Sequence, residues 1–152
     1  MSTIEKSIEV NVPAYVAYGK WMRFEEHPRF MEGVKEVKRL GVNRFHWKAE
    51  IAGRNTEWEA EITEQKADQR LALTNRGGPM KGMAATFHEL SSSSSTIMLQ
   101  VEYDLQGVVE HVGEALEVVS SRIQGDLERF KGYLEKGWVK PGPDTIFDNF
   151  PM

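Results

Sequence analysis

Apolar residues recur at every second position at the start of the chain. Ile4, Ile8, Val10 and Val12 share one parity, with Lys6 interrupting, while Glu5, Ser7, Glu9 and Asn11 take the other. Successive strand side chains point to opposite faces, so this period predicts a half-buried strand. Asn11 and Pro13 then mark a helix start, Asn as the cap and Pro in the first turn. Tyr15, Tyr18, Trp21 and Met22 have the spacing of one helical face. Pro28 breaks that spacing, and Phe30, Met31 and Gly33 predict a second short helical turn ending at the glycine.

From Val34 the period returns to two. Phe45, Trp47, Ala49 and Ile51 alternate with Arg44, His46, Lys48 and Glu50, and Trp58, Ala60 and Ile62 alternate with Glu57, Glu59 and Glu61. With a turn at Ala52-Gly53 the two runs form a hairpin that sets Lys48 opposite Glu57, His46 opposite Glu59 and Arg44 opposite Glu61. Each opposed pair of charges contributes about 0.2–1 kcal/mol, so the acidic stripe reads as a solvated sheet face rather than a carboxylate active site. Leu71 and Leu73 mark the next strand, followed by a turn over Asn75, Arg76, Gly77, Gly78 and Pro79. Met83, Ala85 and Phe87 share a parity in the strand after it, and Ser91 to Ser95 are expected to form an exposed, mobile loop. The last strand alternates cleanly, with Ile97, Leu99, Val101, Tyr103 and Leu105 on its apolar side.

The period then changes to 3.6. Val112, Leu116, Val119, Ile123, Leu127, Phe130 and Leu134 form one apolar stripe along a helix roughly 35 Å long, stopped by Gly137 and Pro141. The domain is thus expected to cover residues 1–136, with 137–152 an irregular tail. Trp138, Phe147 and Phe150 in that tail are expected to dock on the body or on a second copy, the latter making a dimer. Strands flanked by helices argue an α+β fold of about seven antiparallel strands with the long helix laid across one face.

The chain has 152 residues, long enough for one domain with a real core. Its formal net charge of −4 lacks the clustered positive charge that phosphate contacts need, so no nucleic-acid partner is expected. Cysteine is absent, which excludes disulfides, thiol nucleophiles and thiolate metal sites. No apolar run approaches the roughly 20 residues of a membrane span, and none resembles a signal peptide, so a cytoplasmic protein is expected.

Several segments together resemble a known family. They are W-M-R-F-E-E-H-P-R-F-M-E-G-V-K-E-V at 21 to 37, F-H-W-K-A-E-I-A-G-R at 45 to 54 and E-W-E-A-E-I-T-E-Q at 57 to 65. A-T-F-H-E-L at 85 to 90 and D-L-E-R-F-K-G-Y-L-E at 126 to 135 complete the set. The chain is similar to the polyketide cyclase/dehydrase and lipid-transport family of the START-like (SRPBCC) superfamily over about residues 3 to 135. The resemblance implies a helix-grip fold, in which a curved antiparallel sheet wraps the C-terminal helix around a deep cavity that two small helices help to close. Relatives include aromatase/cyclases, quinone-binding proteins, lipid-transfer domains and ribosome-associating proteins, and the fold does not choose among them.

The chemistry available to the residues is limited. His27, His46, His88 and His111 form no pair at ligand spacing, so no metal site is expected. No G-x-S-x-G motif is present, and Gly77, Gly78 and Gly82 do not open a helix as a phosphate loop does. They read as a flexible turn, a lip over the cavity with Arg76 and Lys81 beside it. No cofactor is expected. An apolar pocket for a lipid, isoprenoid quinone or polyketide-like molecule would be lined by Trp47, Trp58, Phe87, Tyr103, Val112, Leu116 and Val119, with Phe24, Phe30 and Met31 near its mouth. The same residues would equally fill a solid core. A cyclase or dehydratase would need proton-transfer groups facing the cavity. Arg122 and Asp126 lie one position off the apolar stripe, and Tyr103 with Arg122 makes the best candidate pair. A protein-interaction role, like that of the ribosome-associating relatives, is the third alternative.

Overall fold

The computed structural model describes residues 2–107 and 109–136. The tail, with Trp138, Phe147 and Phe150 and the expected helix stop at Gly137 and Pro141, lies outside the described residues.

Strand β1 (Ser2–Val10) leads into helix α1 (Ala14–Trp21) and a 3-10 helix over Phe24–Arg29. Six strands follow: β2 (Val34–Arg39), β3 (Arg44–Ile51), β4 (Arg54–Lys66), β5 (Arg70–Arg76), β6 (Met80–Ser91) and β7 (Ser94–Tyr103). Helix α2 (Val112–Glu135) comes last. The strands form one antiparallel sheet in the order β1-β7-β6-β5-β4-β3-β2, so the first strand pairs with the last. Register shifts in β2, β4 and β6 insert bulges, which bend a sheet and raise its twist. The sheet curves around α2, which buries Val119, Ile123, Asp126, Leu127, Phe130 and Leu134 against it. This is the α+β helix-grip fold that the periodicity and the resemblance pointed to.

The β3–β4 hairpin has the expected register, with Lys48 opposite Glu57, His46 opposite Glu59 and Arg44 opposite Glu61. Ala52 and Gly53 both take positive φ, 51° and 79°, as a two-residue hairpin turn requires. The closest polar contacts run diagonally rather than directly, Arg44 with Glu59 at 2.8 Å and His46 Nε2 with Glu57 at 3.2 Å. Strand twist brings diagonal neighbours within reach of long side chains.

Three local expectations need correction. Asn11 does not cap α1: Pro13 holds the cap position, and the first helical amide, that of Ala14, donates to Glu89 Oε1 at 3.1 Å. The backbone amide of Asn11 donates instead to Glu135 Oε2 at 2.7 Å, tying the start of the chain to the end of α2. The second helical turn lies earlier than Phe30–Gly33, with Pro28 inside it, because the proline ring already fixes φ in the helical range. The serine tract is no loop. β6 and β7 run into it from both sides, Ser91 pairs with Ser94, and only Ser92 and Ser93 turn. Ser95 is fully buried and its hydroxyl donates to the Val12 carbonyl at 2.8 Å. A serine that can satisfy its hydroxyl on a buried carbonyl costs little inside.

The concave interior has two unlike halves. Beside α1 and the 3-10 helix, Trp21, Phe24, Phe30, Phe45, Trp47 and Phe130 form a fully packed aromatic block. Their rings meet edge-on or tilted, at centroid separations such as 4.9 Å for Phe24–Phe45 and 5.1 Å for Trp21–Phe130, the geometry aromatic quadrupoles favour. The other half, toward the Ala52–Gly53 and Gly77–Pro79 turns, holds a cavity. Among the described residues no helix is long and apolar enough to cross a membrane.

Candidate ligand cavity

The inward parity of β3, β4, β6 and β7 delivers Ala49, Ile51, Trp58, Met83, Val101 and Tyr103 to one wall of this cavity, and Met80 joins them at the start of β6. Helix α2 supplies the opposite wall with Val119, Arg122, Ile123 and Asp126, spaced so that one helical face carries all four. Met31, Gly33 and Val34 close the side between the 3-10 helix and β2. The cavity volume is about 30 Å³. One water needs about 10–15 Å³, so as the side chains stand there is room for a couple of waters and none for a lipid. Three of the lining side chains are methionines, whose unbranched thioethers repack readily.

Polar groups converge at the α2 wall. Arg122 Nη1 donates to the Glu50 carbonyl at 2.8 Å, and the Glu50 amide donates to the Gly33 carbonyl at 2.7 Å. Asp126 is 5% exposed; its Oδ1 accepts the Glu32 amide at 3.0 Å and a bond from Arg129. Arg129 also donates through Nε to the Phe30 carbonyl at 2.9 Å and lies 3.5 Å from the Glu32 carboxylate on the solvent side. Burial raises the Asp126 carboxyl above its usual range, against the opposing pull of the Glu32 amide and the two arginines. Burial likewise pushes the Tyr103 phenol up, the Asp126 charge adding to the effect and Arg122 opposing it. Tyr103 therefore keeps its proton at neutral pH and has an O–H to offer a ligand.

A second titratable group sits behind the cavity. His27 is fully buried among Trp21, Phe24, Phe30 and Trp47, and its Nε2–H donates to the Trp21 carbonyl at 2.8 Å. Its Nδ1 faces the sulfur of cavity-lining Met31 at 3.1 Å. Burial lowers its pKa to about 4, so the ring is neutral.

Of the residues expected from the sequence to bind ligand, Trp58, Tyr103, Val119 and Met31 border the cavity, as does the candidate Arg122. The others lie elsewhere. Trp47 is stacked beneath Trp58 at 5.9 Å, and Phe24 and Phe30 belong to the aromatic block. Phe87 packs edge-on against Tyr18 at 5.6 Å. Val112 and Leu116 are half-buried at the start of α2, where Leu116 borders a shallow outer groove with Ile4. The Gly77–Gly78 turn packs closely on β4: a Cβ on Gly78 would come within 2.9 Å of Thr56 Oγ1 and 3.3 Å of the Trp58 ring. Met80 and Gly33 were absent from the expected lining, and Asp126 was noted only as lying one position off the apolar stripe. An acidic residue in helical register with Val119, Ile123 and Phe130 was the available signal for Asp126.

Comparison with known proteins places this fold. Residues 10–131 match the family described as polyketide cyclase/dehydrase and lipid transport. The chain belongs to that family. An uncharacterized 17.2 kDa protein from the melC2–rnhH intergenic region of Streptomyces lincolnensis is 41% identical over 143 residues, covering 93% of this chain and 95% of that one. Among solved structures, the Zhui aromatase/cyclase from a Streptomyces strain superposes with a TM-score of 0.73 at 15% identity, covering 89% of this chain and 94% of its own. A START superfamily protein from Mycobacterium smegmatis gives 0.67 at 16% identity, covering 84% and 97%. At such identities these structures establish the START-like fold alone.

Proposed function

We propose that this protein binds a hydrophobic small molecule with a polar end, of the lipid, isoprenoid quinone or polyketide-like kind, in the cavity between sheet and α2. One observation carries the reading: an otherwise apolar hollow, walled by Trp58, Val101, Val119, Ile123 and three methionines, has Tyr103 on its sheet wall and Arg122 and Asp126 on the helix wall opposite. Few polar groups in an apolar wall is the arrangement that orients a ligand without forfeiting its burial. Binding displaces Met31, Met80 and Met83 side chains and widens the closed space. Native mass spectrometry of freshly purified protein, followed by solvent extraction, tests this. A stoichiometric apolar ligand, weakened in Trp58→Ala, supports the reading; a protein that arrives empty and leaves hydrophobic dyes and quinones unbound refutes it.

A second reading, that of a cyclase or dehydratase, is favoured by one feature. Asp126 is a buried carboxyl with a raised proton affinity next to a protonated phenol. As a base it would take a proton from the methylene between two ketones. The carbanion would attack a third carbonyl of the same chain, and Tyr103 would donate a hydrogen bond to the oxygen that gains charge. Asp126 would return its proton to that oxygen, and loss of the resulting hydroxyl with the second hydrogen of the attacking carbon then releases water. Holding both ends in one cavity makes that closure intramolecular, which contributes about 7–11 kcal/mol in the best cases. Loss of one water from a bound poly-β-ketone, seen by mass spectrometry and abolished in Asp126→Asn, distinguishes this reading from binding alone.

A further inference from the structure

At the polar end of the cavity the Glu50 and Gly33 carbonyls and Asp126 Oδ1 already accept hydrogen bonds. The Glu50 carbonyl is taken by Arg122, the Gly33 carbonyl by the Glu50 amide, and Asp126 Oδ1 by the Glu32 amide and Arg129. None of these bonds involves the Tyr103 hydroxyl. Arg122 carries five N–H donors, and the Glu50 carbonyl accepts from its Nη1 alone. A ligand oxygen that accepts can therefore meet the Tyr103 O–H and the remaining Arg122 N–H groups together.

Charge narrows the acceptor further. Arg122 and Asp126, which line the cavity, are opposite in sign and one helical turn apart, and Glu50 borders it as a further acidic residue. Behind them Arg129 and Glu32 form another opposed pair at the surface. With two arginines against three acidic residues there is no net positive field to compensate an anion for losing its water. A carboxylate placed within reach of Tyr103 would also stand near Asp126, a like charge in a water-poor space.

Taking the hydrophobic-ligand reading as its basis, we infer that the site selects an uncharged oxygen acceptor: a ketone or quinone carbonyl received by Tyr103 and Arg122, in preference to a carboxylate of the same shape. Fatty acids and other anionic amphiphiles are then poor ligands despite the arginine.

A matched pair tests this on the unmodified protein. 2-Acetylnaphthalene and 2-naphthoate have nearly the same outline and differ in charge, and calorimetric titration at pH 7.5 gives both affinities. The ketone is expected to bind at least tenfold more tightly. In Asp126→Asn, which keeps an oxygen for the Glu32 amide, the naphthoate should recover most of that gap. Tyr103→Phe should weaken the ketone several-fold and leave the naphthoate little changed. Naphthoate binding as tightly as the ketone overturns the inference while leaving the hydrophobic-ligand reading in place. A gap unchanged by Asp126→Asn overturns the charge argument. Binding of neither compound overturns both.

Discussion

Arg122 reaches the carbonyl of Glu50 through a gap that exists because residue 33 has no side chain. Its Nη1 lies 2.8 Å from that oxygen, and a Cβ built on Gly33 would stand 2.7 Å from the same oxygen and 2.8 Å from the same nitrogen. Gly33 is thus required by close approach. Gly33→Ala should move either the guanidinium or β3, at about 1–3 kcal/mol, the usual cost of overpacking. Urea denaturation should show a lower midpoint, and affinity for the ketone probe should fall with it. An unchanged midpoint would mean that the wall gives way freely.

Stability should fall on mild acidification because of His27. Unfolded, its ring titrates near 6.5; folded, burial holds it at about 4. The neutral ring is the folded form, so its contribution is full above pH 6.5 and is lost as pH drops toward 4, levelling off below. The shift corresponds to about 3 kcal/mol across that window. Asp126, with its raised carboxyl, works the other way, while Glu26, held low chiefly by its hydrogen bond from Tyr133, loses stability only at more acid pH. Denaturation midpoints of the protein and of His27→Gln between pH 4 and 7 separate these: the variant should lack the slope from 6.5 downward.

Ser95→Ala should cost about 1–3 kcal/mol, since it strands the buried Val12 carbonyl. Ser92→Ala, in the exposed turn, should stay within about 0.5 kcal/mol. Equal effects in thermal denaturation would contradict the buried role of Ser95.

Phe130 is fully buried and touches Trp21, Phe30 and Tyr133. Phe130→Ala should remove about 3–5 kcal/mol. Val42, 83% exposed at the tip between β2 and β3, should tolerate Val42→Ser with almost no change. Chemical denaturation of the pair measures the contrast.

The fold was largely readable from period. Alternation through Phe45–Ile51 and Trp58–Ile62 specified both strands and their register, because a slip of one residue would turn every apolar side chain to water. Serines 91–95 misled, since composition describes a residue type and not the carbonyl of Val12 waiting across the fold. The cavity was less readable. Trp47 and Trp58 have the same parity and stack on one another, yet only Trp58 borders the hollow, because rings delivered by α1 and the 3-10 helix fill the space above Trp47. Where an inward side chain meets a neighbour or a void depends on how segments distant in sequence meet, which periodicity does not encode.

The division of the interior into an aromatic block and a methionine-lined hollow separates what can drift from what cannot. Changes at Met31, Met80 or Met83 reshape the hollow at modest cost, whereas changes among Trp21, Phe24, Phe45 and Phe130 unsettle the whole domain. A lineage with this arrangement can acquire new ligands by small steps while keeping the same scaffold. Diversification should accordingly be concentrated on one end of the sheet.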